Sequence, residues 1–140
     1  MATWFREYKA EDIQNQFDSG MLAHLGIECV EIGPDYLIGS MPVDHRTQQP
    51  FGLLHGGASC VLAESLGSIA SNMTLDPTKN YAVGLDINAN HLRSARSGLV
   101  FGKAEPVHLG RKTHVWQIKI TDEKGKMICI SRLTMAVLEH

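Results

Sequence analysis

The stretch HGGASCVLAESLGSIASNM, His55 to Met73, decides how this chain folds. Leu62, Leu66, Ile69 and Met73 recur at the three-to-four spacing of one helical face, which predicts a helix over 56–73 stopped by Asp76-Pro77. Its other faces carry mostly Ala, Ser, Gly and Cys, so the helix must be covered on most sides. The flanking sequence supplies the cover. Ile27–Glu31 and Tyr36–Val43 read as short strands joined by the turn Gly33-Pro34-Asp35. Tyr81–His91, Leu99–Val107, His114–Thr121 and Met127–Val137 read as four more, rich in β-branched and aromatic residues. After Val115 the order Trp, Gln, Ile, Lys, Ile alternates as a half-buried strand should. Asp44 to Leu54 reads as a loop, and Ala10 to Asp18 as a short helix ended by Ser19-Gly20. The expected fold is α+β, an antiparallel sheet curled around one long central helix.

The 140 residues suit a single domain spanning 1–140. Thirteen Lys and Arg against fifteen Asp and Glu give a net charge of −2, unlike a nucleic-acid-binding domain. The charge is unevenly placed. Between Thr47 and Leu75 the only formally charged side chain is Glu64, whereas 91–112 holds five bases (Arg93, Arg96, Lys103, Arg111, Lys112) against Glu105. That basic run suits either phosphate groups or the defence of a sheet edge. The opening MATWFREYKAEDI lacks the apolar run of a secretory signal, and no window is apolar enough to span a membrane. Cys29, Cys60 and Cys129 form no disulfide framework and no zinc spacing. A soluble protein of the cytoplasm, with no metal site and no cofactor, is expected.

His55-Gly56-Gly57 sits where the loop becomes the helix. The first N–H groups of a helix lack intrahelical partners and carry the positive end of its dipole. They can stabilise a carbonyl oxygen that becomes an oxyanion, although two glycines alone also suit a tight loop-to-helix junction. Glu64 lies mid-helix with no base nearby in sequence: buried, its pKa should rise toward the range of a general base, and the alternative is an exposed residue on the helix's one wet stripe, with Ser68 a small packing residue. Ser68, four residues on, shares its face and is placed to orient water. Gln49 can donate to a substrate carbonyl, and His91 ends a strand near the basic run. From Gly56 to Glu64 is eight residues, roughly 12 Å along a helix axis. The two cannot grip one carbonyl within a chain, but two copies about a two-fold axis can. An acyl hydrolase built this way is an obligate homodimer with cross-subunit sites.

The segments MPVDHRTQQPFG (41–52), LHGGA (54–58), AESLGS (63–68) and GLDINANHLR (84–93) resemble the hotdog-fold acyl-CoA thioesterases. The likeness is closest to the bacterial branch holding the 1,4-dihydroxy-2-naphthoyl-CoA thioesterase of menaquinone synthesis and the enterobactin proofreading thioesterase. It runs in order over residues 22–138, with 1–20 matching loosely. It implies that Gln49 and His55 contact the thioester, that the Gly56 N–H polarises its carbonyl, and that Glu64 of the partner subunit acts as base or nucleophile, with Ser68 helping to place the water. It further implies a homotetramer of two dimers. The CoA would run along His91, Arg93, Ser94, Gly110 and Arg111. The substrate expected is an aromatic or small acyl-CoA or acyl-carrier thioester. A hotdog hydratase or dehydratase, or a non-catalytic acyl-CoA-binding protein, are the alternatives. No G-x-S-x-G, Walker A, G-x-G-x-x-G or H-E-x-x-H motif points elsewhere.

Overall fold

The computed structural model describes residues 3–140; Met1 and Ala2, part of the expected domain, lie outside the described residues. Two short helices, α1 (Ala10–Phe17) and α2 (Gly20–Leu25), precede strands β1 (Glu28–Ile32) and β2 (Leu37–Pro42). The long helix α3 (Gly56–Met73) follows, then β3 (Asn80–His91), β4 (Leu99–Leu109), β5 (Thr113–Asp122) and β6 (Met127–Glu139). The six strands form one antiparallel sheet in the order β1-β2-β4-β5-β6-β3, with α3 lying on its concave face. No helix among the described residues is long and apolar enough to cross a membrane.

The predicted apolar face of α3 is the core. Leu62 and Leu66 are fully buried, Ile69 and Met73 nearly so, and Trp116, Ile118 and Ile120 meet them from alternate positions of β5. Leu66 rests over Gly39 and Gly102, which stand opposite each other across β2 and β4. An added Cβ at either would collide with that leucine, so the paired glycines set how closely helix and sheet approach.

A buried polar cluster fixes the far end of α3. The Trp116 indole N–H donates to Ser71 Oγ (2.8 Å), and Ser71 Oγ shares a second hydrogen bond with His114 Nδ1 (2.7 Å). Trp4 stacks on Trp116 and donates to the Gly33 carbonyl, while the Phe5 N–H bonds the Met73 carbonyl. Residues ahead of the first helix are thereby tied across the helix end. Helix α2 departs from the sequence reading, which ended its helix at Ser19-Gly20. Six residues are too few for a helical period to register, and Gly20 reads as a breaker.

Desolvation holds His114 below its ordinary value, helped by the charge of His108. The folded chain therefore binds this proton less readily than the unfolded chain. Stability should fall as pH drops below about 6.5, the unfolded value, and keep falling until the lowered folded value is passed. His114→Gln is expected to flatten the decline of Tm between about pH 6.5 and 5. Ser71→Ala removes the partner of two buried groups and should cost about 1–3 kcal/mol, read from a urea midpoint.

Candidate active site

The loop before α3 is a built structure. Thr47, 2% exposed, donates from Oγ1 to the Pro42 carbonyl (2.7 Å), and its own carbonyl accepts the His55 N–H (2.8 Å). One buried threonine thus ties the end of β2 to the residue that caps the helix. Beside it the Arg46 guanidinium hydrogen-bonds the Asp44 carboxylate and holds its pKa down to about 2, so the turn stays ionised at neutral pH. Further along, Gln49 Oε1 accepts the N–H groups of Phe51 (2.6 Å) and Leu53 (3.3 Å). The amide oxygen is committed to its own loop. Its NH₂ end has no acceptor among the described residues and remains available as a donor.

The start of α3 leaves one donor free. His55 is the N-cap, and its Nδ1 accepts the Gly57 N–H at 2.7 Å. The Ala58 and Ser59 N–H groups both reach the His55 carbonyl (3.0 and 3.3 Å). Of the first four N–H groups, only that of Gly56 lacks an acceptor among the described residues. With Nδ1 accepting, the neutral His55 ring carries its proton on Nε2 and presents a second donor. His91, from the end of β3, packs directly on Gly56: an added Cβ there would lie 2.7 Å from His91 Nε2. Any larger residue would make the His91 ring shift.

Gln49, Gly56, His91, Arg93 and Ser94 line one cavity of about 370 Å³. Its walls are the 49–54 loop and the segment after β3, which the Leu54 N–H ties to the Ala95 carbonyl (2.8 Å). Five of the ten residues singled out from the sequence therefore converge. His55 opens instead on an adjoining cavity with Gly57 and Val61.

Glu64 and Ser68 share a separate cavity of about 280 Å³. Of the two readings of Glu64, the exposed one holds in the single chain, where it lies on the one open stripe of α3. The carboxylate lies against Gly84 of β3, where any side chain would displace it. Sequence reading passed over Gly84. A glycine inside a strand pattern was the available signal, since such a residue often marks close approach by another group. Thr47 was passed over too, for want of any pattern that distinguishes a hub threonine from a solvated one.

Gly110 and Arg111 line a fourth cavity with Lys112, next to the start of β3. Val83, at that end, is eight residues from His91, so within one chain the two places are about 27 Å apart. They cannot hold one ligand in one chain. The cysteines offer no alternative nucleophile. Burial pushes the Cys129 thiol up to about 11 and raises that of Cys60, to which the Glu64 charge adds. Among the described residues no three His, Cys, Asp or Glu side chains converge as a metal site would require.

The profile of the thioesterase superfamily matches residues 51–129, more than half of the chain. The chain belongs to the thioesterase superfamily. The 1,4-dihydroxy-2-naphthoyl-CoA hydrolase of Escherichia coli is 52% identical, over 96% of this chain and 98% of its own. The proofreading thioesterase EntH of Cronobacter turicensis is 46% identical, over 96% of this chain and 98% of its own. A mutant thioesterase from Pseudomonas aeruginosa superposes with a TM-score of 0.96 at 49% identity, covering 99% of both chains. The protein is a hotdog-fold thioester hydrolase, and the hydratase and non-catalytic readings give way.

For a thioesterase the free Gly56 N–H is the donor to test first. Gly56→Ala keeps the backbone N–H but sets a methyl against His91, displacing the carbonyl from that donor, and should lower kcat/KM by about 10²-fold, the cost of a misplacement of about 1 Å. The urea midpoint should move far less than that loss implies, which separates the site effect from unfolding.

Proposed function

We propose that each active site is completed by a second copy of the chain, with Gly56 from one subunit and Glu64 of the partner subunit facing one thioester carbonyl. The observation that carries this is the separation of the two groups. The free N–H and the exposed carboxylate lie on different cavities of one rigid helix, and both stand beside β3. That strand is an open edge of the sheet. It runs for twelve residues with Asp86 as its only charge and leaves Tyr81, Val83 and Leu85 partly or largely exposed. The opposite edge, β1, is five residues long, interrupted by a bulge, and carries Glu28 and Glu31, features that discourage pairing. Since α3 runs antiparallel to β3, with Gly56 at His91 and Glu64 at Gly84, antiparallel pairing of two β3 strands about a point near Ile87 and Asn88 sets Gly56 beside Glu64 of the partner subunit.

In this arrangement the thioester carbonyl accepts from the Gly56 N–H, with Gln49 and His55 as further donors. Glu64, buried by the partner and adjacent to Ser68, takes a proton from water. The resulting hydroxide attacks the carbonyl carbon, and the tetrahedral intermediate collapses with loss of the thiolate. The thiolate is protonated by the carboxyl group that took the first proton. The same two-fold brings the partner's Gly110 and Arg111 to the end where His91, Arg93 and Ser94 lie, so both basic segments meet one CoA. The substrate is an aromatic or small acyl-CoA, and 1,4-dihydroxy-2-naphthoyl-CoA is the first to assay in view of the relative that carries its name. Two such dimers form the homotetramer. Three unpaired cysteines suit a reducing compartment, the cytoplasm.

Glu64→Gln preserves shape and removes the base. It should lower kcat for benzoyl-CoA by about 10²–10⁴, followed by thiol release. A wild-type rate in that variant overturns the mechanism.

A further inference from the structure

We propose that the two N-terminal helices wall the acyl end of the site, with Leu22 setting the size of acyl group admitted and Gln16 its polarity. The inference rests on Glu64 standing at the reaction centre, as proposed above. The cavity holding Glu64 and Ser68 is floored by α3, through Ser65 and Ile69, and closed on its other side by Gln16 of α1 and Leu22 of α2. It contains no Lys or Arg. The cavity at Gly56 does hold a base, Arg93, beside Ser94. The phosphate-bearing end of a CoA thioester therefore belongs at Arg93, which leaves the cavity without a base, whose only charge is the Glu64 carboxylate, for the acyl group. Its lining pairs apolar surface (Leu22, Ile69) with an amide and two hydroxyls (Gln16, Ser65, Ser68). Such a surface fits an acyl group that carries polar substituents on an apolar frame.

The wall is firmly held. Ile13 and Phe17, four residues apart on α1, are each 2% exposed and anchor it to the core. Leu22 packs partly against that core, and its carbonyl accepts the Ile27 N–H (2.9 Å). Gln16, in contrast, is exposed and makes no hydrogen bond among the described residues, so its amide is free for a ligand. Both helices lie outside residues 51–129, the part matched by the superfamily profile.

The test compares ratios of kcat/KM. For Leu22→Ala, the ratio for 2-naphthoyl-CoA over benzoyl-CoA should rise about tenfold, because a few methylenes of pocket space discriminate by about that much or more. For Gln16→Leu, a surface change that leaves folding intact, the ratio for 4-hydroxybenzoyl-CoA over benzoyl-CoA should fall by a similar factor. A shift in either ratio supports the wall. Ratios within about twofold of wild type in both variants overturn it, a hydrogen-bonding site being expected to discriminate well beyond that. Glu64→Gln assayed alongside separates the two failures. Full activity there removes the reaction centre itself, whereas lost activity with unmoved ratios removes only the wall.

Discussion

A straight α-helix holds its N-terminal N–H and a side chain two turns on at a fixed separation, and the rest of this molecule follows from it. Gly56 and Glu64 are eight residues apart on α3, roughly 12 Å along the axis. A carbonyl group is far smaller than that gap. Bending the helix is not open to the chain, because Leu62, Leu66 and Ile69 bury the same turns against the sheet. Within one chain the donor and the carboxylate cannot meet one carbonyl, and this is what the proposed second copy answers.

The sheet carries the consequence. Its two edges are unlike: β1 is short, bulged and acidic, while β3 is long, carries Asp86 as its only charge and exposes Tyr81, Val83 and Leu85 in its first half. The same strand touches both ends of the chemistry, with His91 over Gly56 and Gly84 under Glu64. Asn72 fastens it to the helix between them and the chain's far end, through a pair of amide hydrogen bonds with Ala82 (2.8 and 3.1 Å). Strand and helix thus form one unit, and Glu64 is exposed on the side that the proposed partner would cover.

Much of this was legible in the sequence because it rests on periodicity. The limits of α3 agree to the residue, and β5 buries the alternate residues Trp116, Ile118 and Ile120 as its pattern predicts. Gln49, Gly56 and His91 were legible as candidates, and the structure brings them to one cavity. What the sequence hid has no period. Helix α2 is too short, the Ser71–His114–Trp116 cluster links positions more than forty residues apart, and Gly84 matters for a side chain it lacks. Whether Glu64 is buried stayed open for a similar reason. A stretch of small residues signals contact without saying whether its own chain or a second copy provides it.

Mixing two inactive variants tests the cross-subunit site most directly. Glu64→Gln and Gly56→Ala proteins, unfolded together in equal amounts and reassembled, give dimers of which half are mixed. Each mixed dimer holds one site bearing both substitutions and one bearing neither. The account predicts recovery to about a quarter of wild-type activity, the product of those two halves under two-fold symmetry. Activity no greater than the mean of the two parents, in dimers verified as mixed, would contradict it.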